Sequence, residues 1–159
     1  VNPACPLTGH SATVRSLAWS PSGVLASGSR DESIKLWSKD GLLQCTLRDH
    51  SDADHTGIAP CICKRWPIFG LRKNPDCPLK GHKGNVWSVA FSVDNVLASA
   101  SSEKSVKLWR DGSCISTLTG HSDYVRAVAF SSEGVLASGS DDKSVKTWST
   151  EGKLLCTLT

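Results

Sequence analysis

The feature that most constrains the fold is a block of sequence that occurs three times. Gly-His opens each copy, at Gly9, Gly81 and Gly120, and a tryptophan follows 27 residues after each histidine. Between them each copy reads V-x-x-[LV]-A-[WF]-S, then V-L-A-S-[GA]-S, then S-[IV]-K-[LT]-W. Such a repeat predicts stacked structural units, each of which buries its apolar faces only against a neighbouring unit.

Each copy contains four short runs rich in β-branched and apolar residues, separated by turn-forming sequences. In the first copy the runs are Val14–Trp19, Val24–Ser27, Ser33–Trp37 and Leu42–Leu47. In the other copies they are Val86–Phe91, Val96–Ser99, Ser105–Trp109 and Cys114–Leu118, and then Val125–Phe130, Val135–Ser138, Ser144–Trp148 and Leu154–Leu158. Four antiparallel strands in a period of about 40 residues are typical of a β-propeller blade.

These motifs resemble the WD-repeat family over nearly the whole chain. The resemblance implies an all-β fold in which residues 1–159 form part of a propeller with an incomplete or open ring. It places blade 1 at about 8–47, a degenerate second blade at 48–79, blade 3 at about 80–118 and blade 4 at about 119–159.

The resemblance also implies a hydrogen-bonded set inside each regular blade. It joins the Gly-His histidine, a serine of the L-A-S-x-S stretch, a turn carboxylate and the tryptophan. The sets are His10, Asp31 and Trp37; His82, Glu103 and Trp109; and His121, Asp142 and Trp148. A buried imidazole or indole needs such partners, because each unsatisfied polar group costs about 1–3 kcal/mol. Glu103 departs from the aspartate of the other copies, so its set must accommodate an additional methylene group.

Residues 48–80 break the pattern. His50 follows His10 by 40 residues, yet the next Gly-His arrives after only 32 more, and the text between has no blade periodicity. The codons that could encode Gly57 to Arg72, read one nucleotide out of register, permit V-x-x-L-A-F-x-[NS]-D-G-x-x-L-A-S-G, the missing text of two strands. We therefore hypothesise a frameshift, or an equivalent gene-model error, inside a genuine second blade, and we expect this segment to pack poorly. Coding DNA that carries no such motif in another frame would refute the hypothesis.

The count of outer strands predicts that the chain is an excerpt of a larger propeller. The stretch from Ala4 to Leu7 resembles an outermost strand, and so do the ends of all four periods, which gives five outer strands for four blades. An open arc exposes blade faces and strand edges, and such edges invite association. We therefore expect that the chain can associate with itself through its open edges.

Seven cysteines and five histidines raise the question of a metal site. The only plausible cluster is Cys61 and Cys63 with Cys77, His50 and His55, and Cys-x-Cys alone is a weak zinc signature. Five cysteines recur at one place in the repeat, one of them offset by two residues, which predicts small buried side chains on one strand face rather than ligands. They are Cys5, Cys45, Cys77, Cys114 (the offset one) and Cys156. We expect no metal, cofactor or disulfide in a chain that we interpret as intracellular and cytoplasmic.

Charge and motifs exclude several classes of function. The formal net charge of +3 is too small to predict a nucleic-acid or membrane partner, and no apolar run approaches the ~18 residues of a membrane span. No serine lies in a nucleophile-elbow pattern, and no glycine-rich phosphate loop occurs. The histidines and turn carboxylates recur because the blade recurs, so we expect no enzyme active site.

Variation between the copies indicates where partners bind. In the resembled family, partners commonly dock on the face where the innermost strand begins. The positions there are the residue after the first-strand valine and the residue before the turn carboxylate. The candidate partner-binding residues at and beside these positions are Arg15, Arg30, Trp87, Ser102, Tyr124, Arg126 and Asp141. They differ between copies whose flanking text is constant, and arginine, tryptophan and tyrosine are favoured interface anchors. A plain solvated rim is the competing interpretation.

The sequence thus favours a non-catalytic scaffold that binds other proteins or peptides on the propeller face. One alternative is a substrate-recognition subunit of a ubiquitin ligase. The family members that dock on the cullin adaptor carry an arginine two residues after Trp-Asp, and the tripeptides that begin at Trp37, Trp109 and Trp148 give this alternative no support. Further alternatives are a regulatory module of a larger ATPase or kinase protein, and a defective product that binds nothing.

Overall fold

The structure, a computed structural model, describes residues 7–48 and 81–159, which form three four-stranded antiparallel sheets. The first sheet comprises β1 (Val14–Trp19), β2 (Leu25–Ser29), β3 (Ile34–Trp37) and β4 (Leu43–Leu47). The second comprises β5 (Val86–Phe91), β6 (Leu97–Ser101), β7 (Val106–Arg110) and β8 (Ser113–Leu118). The third comprises β9 (Val125–Phe130), β10 (Leu136–Ser140), β11 (Val145–Trp148) and β12 (Leu154–Leu158). The described part of the chain contains no helix that could span a membrane.

The predicted all-β fold is confirmed, and the innermost strands β1, β5 and β9 have the predicted bounds. The second strand of each sheet begins one residue later than predicted and ends two residues later. In the first sheet the reason is that Val24 closes a turn, since its carbonyl accepts a hydrogen bond from the backbone N–H of Ser20 at 2.8 Å. The third strands begin after the predicted serine, because in the first sheet Ser33 donates its hydroxyl to the turn residue Asp31 at 2.6 Å.

The three sheets pack side by side as adjacent blades. Strand order within each sheet follows the chain, and the innermost strands contact one another, β1 with β5 and β5 with β9. One apolar core, which includes Ile34 and Leu97, lies between the first and second sheets, and another, which includes Leu108 and Leu136, lies between the second and third. Over the described ranges the arrangement is an open arc of propeller blades.

The first and second sheets are direct neighbours. A Cβ atom added at Gly28 on β2 would lie 2.7 Å from Cγ1 of Val86 on β5, so only glycine allows this approach. The hydroxyl of Ser16 accepts a hydrogen bond from the backbone N–H of Val89 at 3.1 Å. Ser88 makes the same bond to Val128, at 3.2 Å, between the second and third sheets. The same hydrogen bond between innermost strands therefore recurs at both contacts between sheets.

Several predictions concern residues outside the described ranges. They are the degenerate blade at 48–79 apart from Arg48, the frameshift hypothesis, the candidate cluster around Cys61 and Cys63, and the outer strand at Ala4 apart from Leu7. Each of them stays a prediction.

The first and third sheets, at the two ends of the arc, expose opposite sheet faces. In the first sheet Leu17 is 62% exposed, whereas Val89 at the equivalent position of the second sheet is 5% exposed. In the third sheet Leu158 is 57% exposed, whereas Leu118 at the equivalent position is 3% exposed. Each pair differs because a neighbouring sheet covers one member and no described residue covers the other.

The predicted burial of the recurring cysteines is only partly right. Cys45 is buried between the first and second sheets, whereas Cys156 is exposed, because it lies on the third sheet. The prediction that Cys114 shares its strand face with the others is wrong. A shift in register between β7 and β8 pairs it with Trp109 and turns it toward the first sheet, whereas Cys45 in the first sheet faces the second.

Candidate functional site

Each sheet contains one hydrogen-bonded set with the same geometry. In the first sheet Nδ1 of His10 lies 2.8 Å from Oδ2 of Asp31, and Nε2 lies 2.7 Å from the hydroxyl oxygen of Ser27. Trp37 donates its indole N–H to the same hydroxyl at 2.9 Å. In the second sheet His82 lies 2.6 Å from Glu103, and in the third His121 lies 2.8 Å from Asp142.

The structure identifies which serine joins each set. The sequence left two serines open in every L-A-S-x-S stretch, and the first of the two, Ser27, Ser99 or Ser138, bridges histidine and tryptophan. Sequence reasoning missed a further member, the serine two residues after the turn carboxylate, which donates to it at 2.6–2.8 Å. These serines are Ser33, Ser105 and Ser144. The sequence pattern that could have identified them is their recurrence at a fixed spacing from the turn carboxylate.

The direction of the hydrogen bonds in the second set follows from its protonation. Burial lowers the pKa of the His82 imidazole, although its hydrogen bond with Glu103 opposes this, so the ring is neutral near pH 7. The Trp109 indole can only donate and the Glu103 carboxylate can only accept. The indole therefore donates to Ser99, the Ser99 hydroxyl donates to Nε2 of His82, and Nδ1–H of His82 donates to Glu103.

The turn carboxylates stay ionised despite their surroundings. Burial alone would raise the pKa of Glu103, but its hydrogen bonds with His82, the Lys83 backbone N–H and the Ser105 hydroxyl lower it to about 2. The pKa values of Asp31 and Asp142 are held well below their ordinary value by the corresponding hydrogen bonds, again against the effect of burial. Each ionised carboxylate ties a turn to the histidine that precedes the innermost strand.

The connectivity of serine, histidine and carboxylate matches that of a catalytic triad. A nucleophilic serine has to reach a substrate, yet Ser99 is fully buried and its oxygen already accepts the N–H of Trp109. His82 is 1% exposed, so a proton acceptor from solvent has no access to it either. The arrangement therefore supports a structural role, in which the set fixes the turn against the sheet.

A β-bulge places the variable residues of the innermost strands. The pairing of β1 with β2 shifts register on either side of Arg15, and the second and third sheets do the same around Trp87 and Arg126. A bulged residue has no cross-strand partner, and the bulge changes the direction of its side chain. Arg15, Trp87 and Arg126 thus occupy one structural position in three successive blades.

The bulges bring these side chains into contact across the sheets. The guanidinium carbon of Arg15 lies 4.9 Å from the centroid of the Trp87 ring, and that of Arg126 lies 4.3 Å from it. Arg126 is also 5.4 Å from the Tyr124 ring. A cation over an aromatic ring contributes about 0.5–1 kcal/mol at an exposed site. We call Arg15, Trp87, Tyr124, Arg126 and Asp141 the arginine–aromatic surface.

Asp141 fixes the orientation of Arg126. Nη2 of Arg126 donates to Oδ2 of Asp141 at 2.6 Å, and Nε donates to the same oxygen at 2.9 Å. This pairing lowers the pKa of Asp141 and raises that of Arg126, so both stay charged. The backbone N–H of Asp141 donates to the Tyr124 carbonyl at 3.0 Å, which holds the turn that carries Asp141 against the start of β9.

Comparison with known proteins assigns the family. The family model described as WD domain, G-beta repeat matches residues 2–38, 73–110 and 112–149. The chain belongs to the WD-repeat family. A segment of 104 residues is 38% identical to the probable cytosolic iron-sulfur protein assembly protein 1 of Malassezia globosa, spanning 64% of this chain and 24% of that protein. A segment of 126 residues is 32% identical to Protein DOA1 of Saccharomyces cerevisiae, spanning 70% of this chain and 18% of that protein.

A solved WD-repeat structure has the same arrangement of sheets. The crystal structure of the RRP9 WD40 repeats superposes with a TM-score of 0.74 at 27% identity, covering 96% of this chain and 40% of that one. The WD-repeat chain therefore spans less than half of that structure and about a quarter or less of the two relatives.

Two of the candidate residues of this WD-repeat chain lie beside the arginine–aromatic surface without a described contact to it. Arg30 is exposed, and its backbone N–H donates to the Thr13 carbonyl at 2.9 Å. Ser102 is half-buried, and its backbone N–H donates to the Asn85 carbonyl at 3.0 Å. Both occupy the position that Asp141 holds in the third sheet.

Trp87 differs from the other members of the surface because it is half-buried, whereas Arg15, Tyr124, Arg126 and Asp141 are exposed. Its indole N–H is buried and has no acceptor in the described part of the chain. Within residues 7–48 and 81–159, no three histidine, cysteine or acidic side chains are grouped in a way that could hold a metal ion.

Proposed function

We propose that the chain is a non-catalytic interaction module that binds another protein or peptide on the arginine–aromatic surface. The observation that carries the proposal is the contact of Arg15 and Arg126, from two different blades, with the Trp87 ring of the blade between them. Packing within one blade does not require these contacts, since the three positions are bulged out of their ladders.

The chemistry of the surface suits a protein partner. Tryptophan, tyrosine and arginine are the residues most enriched among interface positions that dominate binding energy. Trp87 and Tyr124 offer apolar area, and the exposed guanidiniums offer several hydrogen-bond donors to carboxylate and carbonyl groups. We propose a cytosolic setting as well, which the name of the Malassezia globosa relative supports.

The experiment compares proteins captured by the immobilised wild-type chain, Trp87→Ala, Arg126→Ala and a matched control, Arg110→Ala. Arg110 is exposed at the end of β7 and lies outside the arginine–aromatic surface. We expect both surface variants to lose partners that the wild type and the control retain, while circular dichroism shows unchanged folding. Identical captured sets from all four chains would refute the proposal.

A further inference from the structure

Within the described ranges, the Trp87 indole N–H lacks the hydrogen-bond acceptor that the tryptophan at the same place in the third strand of each sheet has. Trp37, Trp109 and Trp148 each donate to a serine hydroxyl at 2.8–2.9 Å. The Trp87 N–H is buried without any acceptor among the described residues. Native proteins rarely leave a buried donor unpaired, because the lost hydrogen bonds to water are not replaced. An acceptor supplied by a bound partner would remove this deficit.

Among the described residues around Trp87, unpaired positive charge lies on the side of the first sheet. In the third sheet Asp141 pairs with Arg126 through two short hydrogen bonds to one oxygen. In the first sheet the equivalent position holds Arg30, so two arginines stand where the third sheet has an arginine and a carboxylate. In the described part of the chain no carboxylate pairs with Arg15 or Arg30. The arginine–aromatic surface and the adjacent Arg30 therefore present cationic donors on one side of Trp87 and a neutralised pair on the other.

We propose that the partner is an acidic peptide segment that places carboxylates between Arg15 and Arg30 and an oxygen acceptor on the Trp87 indole N–H. This inference rests on the proposed function, because it names the class of partner for the same surface. Carboxylates accept charge-assisted hydrogen bonds from guanidinium groups, which are about twice as strong as neutral ones.

An acidic peptide fits the surface better than a single-stranded nucleic acid. Bases bind by stacking on exposed aromatic faces, whereas two guanidinium groups already lie over the Trp87 ring. A nucleic acid also needs a row of cations along its backbone, and Arg126 cannot extend such a row because Asp141 already neutralises it. A peptide segment with a few spaced carboxylates can avoid Asp141 and still reach Arg15 and Arg30.

The donor can become accessible without unfolding. Arg15 is exposed and pairs with no described carboxylate, so its side chain can change rotamer on the picosecond to nanosecond timescale. A carboxylate that attracts the Arg15 guanidinium would draw it away from the Trp87 ring and so remove one of the two side chains that lie over the indole. The surface then changes locally, and the strands keep their pairing.

The test follows the Trp87 indole N–H resonance of the ¹⁵N-labelled chain by NMR. The probes are a short capped peptide that alternates glutamate with glycine, a control peptide with glutamine in place of glutamate, and a thymidine oligonucleotide of the same length. We expect the glutamate peptide to shift the resonance downfield, with an affinity that falls as salt is added. The Trp87→Phe variant assigns the resonance and keeps the aromatic ring.

Matched variants determine the outcome. We expect Arg15→Gln and Trp87→Phe each to weaken binding of the glutamate peptide about fivefold, since each removes one hydrogen-bonding group, while Arg110→Gln leaves it unchanged.

The inference is overturned if the glutamine peptide binds equally well, if the oligonucleotide binds more tightly, or if the indole resonance does not move. If the peptide fails while capture still depends on Trp87, the partner class is wrong and the proposed function stands. If capture does not depend on Trp87, the proposed function itself fails.

Discussion

The guanidinium carbon of Arg126 lies 4.3 Å from the centroid of the Trp87 ring, although the two residues belong to different sheets. Their contact exists because β5 and β9 pack side by side and each carries a bulge at the same position. The candidate binding surface is therefore a product of the packing between blades. A partner that binds it would contact three blades at once.

Removal of the bridging serine should destabilise its blade. Ser99→Ala leaves the Trp109 indole and Nε2 of His82 without their shared partner in a buried site. We expect the free energy of unfolding to fall by about 1–3 kcal/mol, the usual cost of buried unsatisfied groups. Urea denaturation measures this, with Ser113→Ala at the exposed start of β8 as the control. Equal stability of the two variants would contradict the assigned role of the hydroxyl.

Acid should weaken the second blade through Glu103. Its pKa is lowered from 4.5 to about 2, so its contribution to stability is complete above pH 4.5 and is lost as the pH falls toward 2. Glu103→Gln removes this dependence on pH. We therefore expect the difference in the free energy of unfolding between the wild type and Glu103→Gln to shrink by roughly 1 kcal/mol as the pH falls from 4.5 to 2, after allowance for solvent screening. Denaturation at a series of pH values measures the difference. Exposed Glu133→Gln is the control, and parallel curves for wild type and Glu103→Gln would argue against the assignment.

The close approach of the first two sheets makes Gly28 sensitive to substitution. Gly28→Ala introduces a Cβ atom 2.7 Å from Val86 and 3.1 Å from Val89. We expect a loss of about 1–3 kcal/mol, because packed cores do not accept extra methyl groups without strain. Gly139 holds the equivalent place in the third sheet, and a Cβ atom there meets nothing within 4 Å. Gly139→Ala should therefore be neutral or slightly stabilising, and thermal or urea denaturation that ranks the two variants equally would contradict the packing.

The exposed ends of the arc should let the chain associate with itself. Leu17 and Trp19 of the first sheet, and Leu155 and Leu158 of the third, expose more than half of their surface. We expect the apparent mass in sedimentation to rise with concentration and Leu17→Arg to suppress the rise, because a charge on an apolar interface opposes its burial. Val93→Arg, in the exposed β5–β6 turn, is the control. A monomer at all concentrations would rule out this self-association.

The sequence predicted the strands because each depends on local pattern. Short runs of β-branched and apolar residues bounded by turns located β1, β5 and β9 to the residue, and the resemblance to the WD-repeat family implied the hydrogen-bonded sets. Variation between copies also named Arg15, Trp87 and Arg126. The bulges that bring these three together escaped prediction, since a bulge depends on the register with the neighbouring strand.

Burial was harder to predict than strand position. Cys45 and Cys156 stand at equivalent places in the repeat, yet one is buried and the other exposed, because only the first faces another described sheet. The sequence also did not predict that the first and second sheets pack directly against each other. The spacing of the Gly-His motifs counts residues along the chain, whereas the contact of Gly28 with Val86 depends on how the sheets stack.

The contact between the first and second sheets decides whether Arg15 can reach Trp87. A measurement of this contact therefore tests the binding surface most directly. A nuclear Overhauser effect between the Hα protons of Gly28 and the Cγ1 methyl group of Val86 reports it in the intact chain. The structure predicts a strong cross-peak, because the position of a Cβ at Gly28 lies 2.7 Å from that methyl carbon. A missing cross-peak, with Gly28 instead contacting residues of the segment 49–80, would contradict the adjacency of the sheets and the binding surface that depends on it.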